Sequence, residues 1–440
     1  MKPNKALGQN FLCDENLCQW MVRQLQLEQG EQIVEIGPGL GALTAPLIQF
    51  AGSERKLTLI EKDNHFIDHL QKRFSTSNVE ICSGDAINFD KRQLYPQGPA
   101  KLMANLPYYA ACPILLNFAS HPTPITRFVI TLQKEVADRL MAKPSTPQYG
   151  CLTLAIGLHW KVGYLKTLSP SVFYPQPAID SAVISLSPRA PGELPPCSTK
   201  AFNHLIRLGF SQRRKQLKKL LPAIEASWSA IAGALGISPT ARAEELDLHQ
   251  WVALCNLFTE YSAGRIRTAQ AGKNLAQDPE NEIFDVVDEN DRIVGEASRR
   301  AVHEKELRHR AVHIFIYNRQ GELFLQKRSI WKDKYPGRWD SSAAGHLNAG
   351  STYDESADRE LAEELGIEHC PLQFLAKLPA SPATGMEFIQ LYRGEYHGEL
   401  RLAPPEIEAG EFFPLPLIQE WVSKRPEDFA PGFLQCLAAS

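Results

Sequence analysis

Four apolar runs in the first part of the chain each lead to a polar residue, and this repetition limits the fold more than any other feature. Ile33–Ile36 runs into Glu35-Ile36-Gly37-Pro38-Gly39-Leu40-Gly41 and then into helix-like Ala42–Phe50. That order is strand, glycine-rich turn, helix, with glycines where backbone must approach a ligand that a Cβ would exclude. Lys56–Ile60 ends at Glu61, about twenty residues further on, the usual distance for an acid that binds ribose hydroxyls. Val79–Cys82 ends in Ser83-Gly84-Asp85-Ala86, and Lys101–Ala104 ends at Asn105. Strands alternating with helices predict a parallel sheet, and its strand C-termini form the rim where a ligand crevice belongs.

The fourth strand end carries the chemistry. Asn105-Leu106-Pro107-Tyr108-Tyr109 combines an amide, a Pro-fixed turn and an aromatic ring. The Asn side-chain oxygen and a backbone carbonyl on that turn can accept both N–H groups of an exocyclic amine, steering its lone pair toward a methyl donor. The ring offers a stacking face for a base taken out of its helix. An ordinary strand-to-loop turn would also use Pro and Asn. Glycine spacing alone leaves the cofactor open, because Gly37-x-Gly39-x-x-Ala42 also fits a relaxed dinucleotide fingerprint. Hydride transfer has no use for an amine clamp, so the turn selects S-adenosylmethionine.

Charge divides the chain. Residues 1–268 carry a net +7 and the remainder −10, which together make the overall −3 of the 440 residues. A basic front half suits a polyanion; an acidic rear half does not. The length predicts two or three domains. Nine cysteines lie scattered without a Cys-x-x-Cys pair, which suits a reducing cytosol better than disulfides or a zinc site. No signal-peptide h-region follows Lys2 and Lys5, and no apolar run approaches membrane-spanning length. A cytoplasmic protein without membrane partners is expected.

The front part resembles the small-subunit (16S) rRNA adenine N6,N6-dimethyltransferases over roughly residues 1–265. Besides Glu35–Thr44 and the Asn-Leu-Pro-Tyr turn, the likeness rests on Lys5-Ala6-Leu7-Gly8-Gln9-Asn10-Phe11-Leu12, Leu132-Gln133-Lys134-Glu135-Val136-Ala137 and Phe173-Tyr174-Pro175-Gln176-Pro177-Ala178-Ile179-Asp180-Ser181-Ala182-Val183. The first of these looks like the family's cofactor lid. The resemblance implies that Asn10, Leu12, Gly37, Gly39, Glu61, Asp85 and Asn105 contact the cofactor. Leu106, Pro107 and Tyr108 would hold the target adenine, with Phe173 closing over its other face. The chain departs from the family pattern at Tyr109-Ala110-Ala111, usually Asn-Ile-Ser, and at Ala178, usually Lys.

After the Pro-rich stretch Ser187–Thr199, Ala201–Leu221 reads as the entry to a helical hairpin. Leu217, Leu220 and Leu221 fall on one helical face, and the cations of Arg213-Arg214-Lys215-Gln216-Leu217-Lys218-Lys219 turn largely away from it. A cationic face is commonly plain solvated surface. Beside a base-methylating core, and by likeness to the family's RNA-binding subdomain, Arg213, Arg214, Lys215 and Lys218 are expected to contact RNA phosphates.

The rear part holds a second motif. Gly345-His346-Leu347-Asn348-Ala349-Gly350 leads into Arg359-Glu360-Leu361-Ala362-Glu363-Glu364-Leu365-Gly366-Ile367. Glu360, Glu363 and Glu364 sit at i, i+3 and i+4, so one helical face would present three carboxylates that need a hard cation such as Mg²⁺ between them. The segment resembles the Nudix hydrolase box, with Ser351 where the box has its first Glu. Phe284–Glu289, His303 through His313, and Trp339–His346 look like the isopentenyl-diphosphate-isomerase-like branch. The isomerase uses a Cys immediately before its Gly-His step, where this chain has Ala344. The resemblance therefore implies hydrolysis of a nucleoside or other diphosphate rather than isomerisation, and His303, His309 and His346 are candidates to help bind metal.

The fold expected is α/β: a Rossmann-like S-adenosylmethionine-dependent methyltransferase with a small α-helical C-terminal subdomain, followed by an α/β/α Nudix domain. Its parts are a core at 1–188, an RNA-binding subdomain at 189–262, a linker at 263–280 and a Nudix domain at 281–440. The implied reaction is dimethylation of two adjacent adenosines in a small-subunit rRNA hairpin, on the immature small ribosomal subunit. Two other readings are a ribosome assembly factor acting mainly through RNA binding and a large-subunit rRNA adenine methyltransferase.

Overall fold

The structure is a computed structural model and describes residues 9–74, 78–224, 226–267, 282–332, 334–403 and 406–440. It divides into two compact units, Met1–Ala263 and Gly264–Ser440.

The front unit is built on strands β1 (Phe11–Leu12), β2 (Gln32–Ile36), β3 (Leu57–Glu61), β4 (Val79–Ser83), β5 (Ala100–Asn105), β6 (Ile125–Gln133), β7 (Trp160–Leu168), β8 (Phe173–Tyr174) and β9 (Ser181–Pro188). Seven of them form one sheet in the order β4-β3-β2-β5-β6-β9-β7. The pairs among β2, β3, β4, β5 and β6 are parallel, whereas β9 runs antiparallel to β6 and β7. The chain moves outward from β2 to β4, then returns to start β5 on the other side of β2. The crevice at that switch point lies outside the C-termini of β2 and β5, where Gly37 and Asn105 stand.

Both faces of this sheet are covered, so its strands are nearly continuous in apolar residues. Alternation sends Val34, Leu102, Ala104, Phe128, Ile130 and Ile184 into one core. Their neighbours Ile33, Met103, Val129 and Val183 enter the other, with Leu57 and Leu59. A third core holds Phe202, Leu205, Ile206, Leu217, Trp251 and Leu254 of the helical subdomain. There Gly209 has no room for a side chain, since a Cβ would stand 2.4 Å from the Trp251 ring.

Two expectations are corrected in this subdomain. The basic stretch is not part of one helix: the helix Thr199–Phe210 ends before Ser211, and only a short 3-10 turn, Leu217–Lys219, follows. Leu217 is fully buried beneath Gly209 and anchors the turn, which helical spacing over Ala201–Leu221 does not describe. The expected linker also begins late, because helix Leu248–Arg267 continues through residues 263–267, while 268–280 lie outside the described residues.

The rear unit contains the antiparallel hairpin β10 (Ile283–Val287) and β11 (Ile293–Ser298), and a mixed seven-stranded sheet. That sheet comprises β12 (His309–Tyr317), β13 (Leu323–Arg328), β14 (Trp339–Asp340), β15 (Ala343–His346), β16 (Leu372–Leu378), β17 (Glu387–Glu395) and β18 (Ile407–Phe413). Helix Tyr353–Leu365 packs Leu361 and Leu365 against Val312, Ile314 and Ile316 of β12 on one face. On the other, Phe315 meets Phe433 of helix Pro431–Ala439 at a ring separation of 5.8 Å. The helix Tyr353–Leu365 starts at a Thr352–Glu355 capping box and stops at Gly366, whose φ of 69° is a left-handed cap. No helix among the described residues is long and apolar enough to cross a membrane.

Candidate functional site

At the C-terminal rim of the front sheet lies an open cleft. Four strand ends and the N-terminal segment supply its walls, including Asn10, Phe11, Gly37, Gly39, Glu61, Asp85, Asn105, Leu106, Pro107 and Tyr108. Gly39 has a φ of 53°, and a Cβ there would fall 2.7 Å from the Phe11 ring, so the turn must be glycine for Phe11 to pack across it.

Glu61 is buried and nearly filled with backbone donors. Its carboxylate accepts the N–H of Gly39 at 3.0 Å, of Lys62 at 2.8 Å and of Asp63 at 2.9 Å. Burial raises its pKa and these three bonds oppose the rise. A carboxylate has about four acceptor positions, so one remains for a ligand hydroxyl. On the neighbouring strand β2, Glu35 is fully enclosed and accepts the Thr44 hydroxyl at 2.7 Å. Burial pushes its pKa up to about 8, so it is largely protonated at neutral pH.

Asp85 Oδ2 takes an ion pair from Lys62 Nζ at 2.7 Å, and Oδ1 accepts Ile87 N–H at 3.0 Å. The Lys62 bond, foremost, holds Asp85 below the ordinary carboxylate pKa. Sequence reading passed over Lys62; its one available signal was its place directly after Glu61.

The residues expected to form an amine clamp are pre-oriented. Asn105 Nδ2 donates to the Asn10 carbonyl at 2.7 Å, which leaves Oδ1 as the acceptor of that amide. The Pro107 carbonyl already accepts Ala110 N–H at 3.0 Å, completing the tight turn. Tyr108 is held by a 2.7 Å bond between its hydroxyl and Ser181 Oγ, which sits fully buried at the start of β9.

Two sequence-selected residues lie elsewhere. Leu12 and Phe173 are opposed across the β1–β8 ladder and are 5% and 2% exposed, both within the core beneath the cleft. Strand alternation is the reason: it turns Phe11 toward the cleft and Leu12 away, and likewise exposes Tyr174 while burying Phe173. Phe173 therefore does not form a wall for a base in this structure. Of the expected lid, Lys5–Gly8 lie outside the described residues, while Asn10 and Phe11 are at the cleft.

The basic stretch separates into two roles. Arg213 donates to Glu244 at 2.9 Å and to the carbonyls of Pro147 and Tyr149 at 2.7 and 3.1 Å, so it ties the subdomain to the preceding loop. Arg214, Lys215 and Lys218 are exposed.

In the rear unit the three helical carboxylates do not share one open face. Glu360 and Glu364 are buried, whereas Glu363 stands half out of the surface and pairs with Arg359 at 2.9 Å. Arg359 also reaches Glu360 at 2.8 Å and the His346 carbonyl at 2.9 Å, so it is a built-in counter-charge. Glu364 accepts from Gln326 Nε2 and from Ala344 N–H, each at 3.1 Å. Burial first, and neighbouring carboxylates after it, raise Glu360 to about 7 and Glu364 to about 8. Gly345 makes this closeness possible, since a Cβ there would lie 2.0 Å from Glu360 Oε1. Ser351 precedes the helix and turns back to the Asn348 carbonyl at 3.0 Å.

Beside that helix, His303, His309 and His346 bring ring nitrogens within 4.8 Å of one another. Glu387, which sequence reading did not select, lies 3.2 Å from His346 Nε2 and 3.6 Å from His309 Nε2. Nε2 of His303 and of His309 are buried without a hydrogen-bond partner. Burial drives His303 down to about 3, so that ring is neutral near pH 7. Imidazoles converging with a carboxylate are the donor set a divalent cation takes.

Comparison with known proteins agrees with this division. Residues 1–260 match the family model for ribosomal RNA adenine dimethylase, and residues 307–433 match the NUDIX domain. A ribosomal RNA small subunit methyltransferase A from Nitratidesulfovibrio vulgaris is 36% identical over 257 residues, covering 58% of this chain and 95% of that protein. The same-named protein of Xanthobacter autotrophicus is 35% identical over 269 residues, covering 60% and 92%. A dimethyladenosine transferase crystal structure from Plasmodium falciparum covers 57% of this chain and 98% of its own, at 23% identity and a TM-score of 0.49.

Proposed function

The chain belongs to the ribosomal RNA adenine dimethylase family, and from that premise we propose that it dimethylates the N6 amine of two adjacent adenosines in a small-subunit rRNA hairpin. The observation that carries this reading is the Asn105 amide, oriented by the Asn10 carbonyl in a cleft that Glu61 and Asp85 also line. The cleft fits S-adenosylmethionine: Glu61 retains an acceptor position for a ribose hydroxyl, Asp85 lies at the third strand end, and Gly37 leaves its approach open. When bound, that cofactor supplies an electrophilic methyl group.

The protein's own part is positioning. Asn105 Oδ1 accepts one N–H of the target amine, and a carbonyl of the Leu106–Pro107 turn accepts the other. Both bonds pull the protons into the plane of the protein acceptors and turn the nitrogen lone pair toward the methyl donor. Tyr108, fixed by Ser181, supplies the stacking face. Holding two reactants in attack geometry contributes most of the acceleration such a displacement needs. Arg214, Lys215 and Lys218 contribute phosphate contacts that set the RNA on this site. Methyl transfer from labelled S-adenosylmethionine to unmodified small ribosomal subunits is the test. Failure of the wild-type chain to methylate them would refute the proposal.

For the NUDIX unit we infer Mg²⁺-dependent hydrolysis of a nucleoside or other diphosphate. Glu360, Glu363 and Glu364 would hold the ion, which supplies an activated water. Binding it requires Arg359 to yield its place between Glu360 and Glu363. The histidine cluster with Glu387 supports a second cation position, and Ala344 lacks the thiol that isomerisation would need. Phosphate release from a diphosphate panel, with and without Mg²⁺, tests this; isomerised isopentenyl diphosphate as the product would refute it.

A further inference from the structure

Two tyrosines beside the front cleft are not used by the reaction described. Tyr109 is 56% exposed and Tyr174 is 64% exposed, far more than a large ring beside a cavity needs to be. Tyr109 follows the Asn-Leu-Pro-Tyr turn and lines the cleft. Tyr174 is directly opposite Phe11 in the antiparallel β1–β8 ladder. Residues opposed in such a ladder project to the same face, so Tyr174 shares the face of Phe11, a residue of the cleft wall. The neighbouring rings are committed elsewhere: Tyr108 is tied to Ser181, Phe11 packs edge-on against Phe66 at 5.5 Å, and Phe173 is buried.

A base seated against Tyr108 has left its helical stack, and each of its chain neighbours then has one unstacked face at the cleft mouth. Aromatic side chains recover that lost stacking without reading sequence. We propose that Tyr109 and Tyr174 are stacking platforms for the nucleotides flanking the target adenosine in a single-stranded segment of RNA. The proposal rests on the reading of the cleft as an RNA adenine methylation site. It assigns these rings to nucleobases and not to phosphates, the cofactor or a protein partner.

The experiment uses the full chain, unmodified small ribosomal subunits and labelled S-adenosylmethionine. Tyr109→Ala and Tyr174→Ala should each raise KM for subunits about tenfold, in line with the loss of one base–aromatic stack. The affinity for S-adenosylmethionine should not change, nor the dependence of KM on salt, because no phosphate contact is lost. Tyr109→Phe and Tyr174→Phe, which keep the ring, should stay within about twofold of the wild type. Equal losses in the Phe and Ala variants would assign the effect to hydroxyl hydrogen bonds and overturn stacking. A weakened cofactor affinity would make the residue part of the cofactor site, and an unchanged KM would make both rings plain surface; either overturns the proposal. Absence of methylation by the wild-type chain would instead overturn the reading of the cleft itself.

Discussion

The two candidate sites use acidic residues in opposite ways. In the front cleft each carboxylate already has donors: Glu61 has three backbone N–H groups, and Asp85 has Lys62 and Ile87 N–H. In the rear unit Glu360 and Glu364 lie together in the interior, Glu360 paired with Arg359, and His303 and His309 have orphaned ring nitrogens. A site whose polar groups satisfy one another is ready for an organic ligand that brings hydrogen bonds of its own. A site whose carboxylates are driven toward protonation by burial and mutual repulsion is arranged around a charge that must arrive. Pre-formed geometry characterises the first, and unspent electrostatics the second.

The largest expected effect tests the geometric side. Asn105→Ala should lower kcat for methyl transfer at least a hundredfold, since misplacement of a reacting atom by about an ångström costs that much. The circular dichroism spectrum should stay as in the wild type. Activity within tenfold of wild type would mean that the clamp is not what positions the amine.

The electrostatic side is tested by Glu364→Gln. Wild-type protein should gain thermal stability in its rear unit when Mg²⁺ is added, because an ion bound only by the folded state stabilises it. The variant should lose most of that gain, with hydrolysis reduced at least tenfold. An equal Mg²⁺-dependent rise in Tm for both proteins would place the ion somewhere other than this helix.

Glu35 breaks the simple contrast, because it is a front-unit acid that behaves like the rear ones. Its folded pKa of about 8 lies above the ordinary value of 4.5, so the folded state holds a proton that the unfolded chain releases. The associated penalty is absent below the ordinary value. It grows as pH rises from there toward about 8, on the order of a few kcal/mol over the window. Glu35→Gln should remove that slope from the front-unit unfolding transition. If urea melts at pH 5 and pH 8 give the variant and the wild type the same pH dependence, Glu35 is not buried as an acid.

The smallest effect separates anchoring from binding within one basic stretch. Arg213→Ala should destabilise the helical subdomain by about 1 kcal/mol, as expected for loss of an exposed side chain that donates to Glu244 and to backbone carbonyls. Arg214→Ala, Lys215→Ala and Lys218→Ala should leave stability within about 0.5 kcal/mol. They should weaken RNA binding and reduce its salt slope by somewhat less than one for each charge removed. Equal stability losses at all four positions would erase the distinction.

Much of this was legible in the sequence where the signal is local. Strand C-termini at Ile36, Glu61, Ser83 and Asn105 follow from apolar runs broken by polar and glycine residues, and the structure has them there. The Glu360/Glu363/Glu364 spacing likewise gave the helix. What escaped depends on partners distant along the chain. The Asn10–Asn105 bond and the Tyr108–Ser181 bond join segments that only the folded sheet brings together. Phe173 was misplaced because its direction is set by the register of β8 on β1, and a two-residue strand has no periodicity to read. Arg213 looks like its cationic neighbours in sequence; only Glu244 and the carbonyls of the 147–149 loop single it out. Glu387 had no motif, and its role is visible only from the histidines around it.

The Asn10–Asn105 bond has a thermodynamic consequence. On the proposed reading Asn10 belongs to the segment that would border the cofactor, while Asn105 would receive the amine, so one hydrogen bond would be shared by two binding events. A ligand that orders residues 9–12 also orders the Asn105 amide, which reduces the entropy that the second ligand must lose. The two affinities are then linked, and linkage is reciprocal: RNA should tighten cofactor binding by the same factor by which cofactor tightens RNA binding. Asn10 contributes through its backbone, so side-chain replacement there should leave the coupling intact. Asn105→Ala should bring the factor close to one, and calorimetric titrations in both orders would measure it.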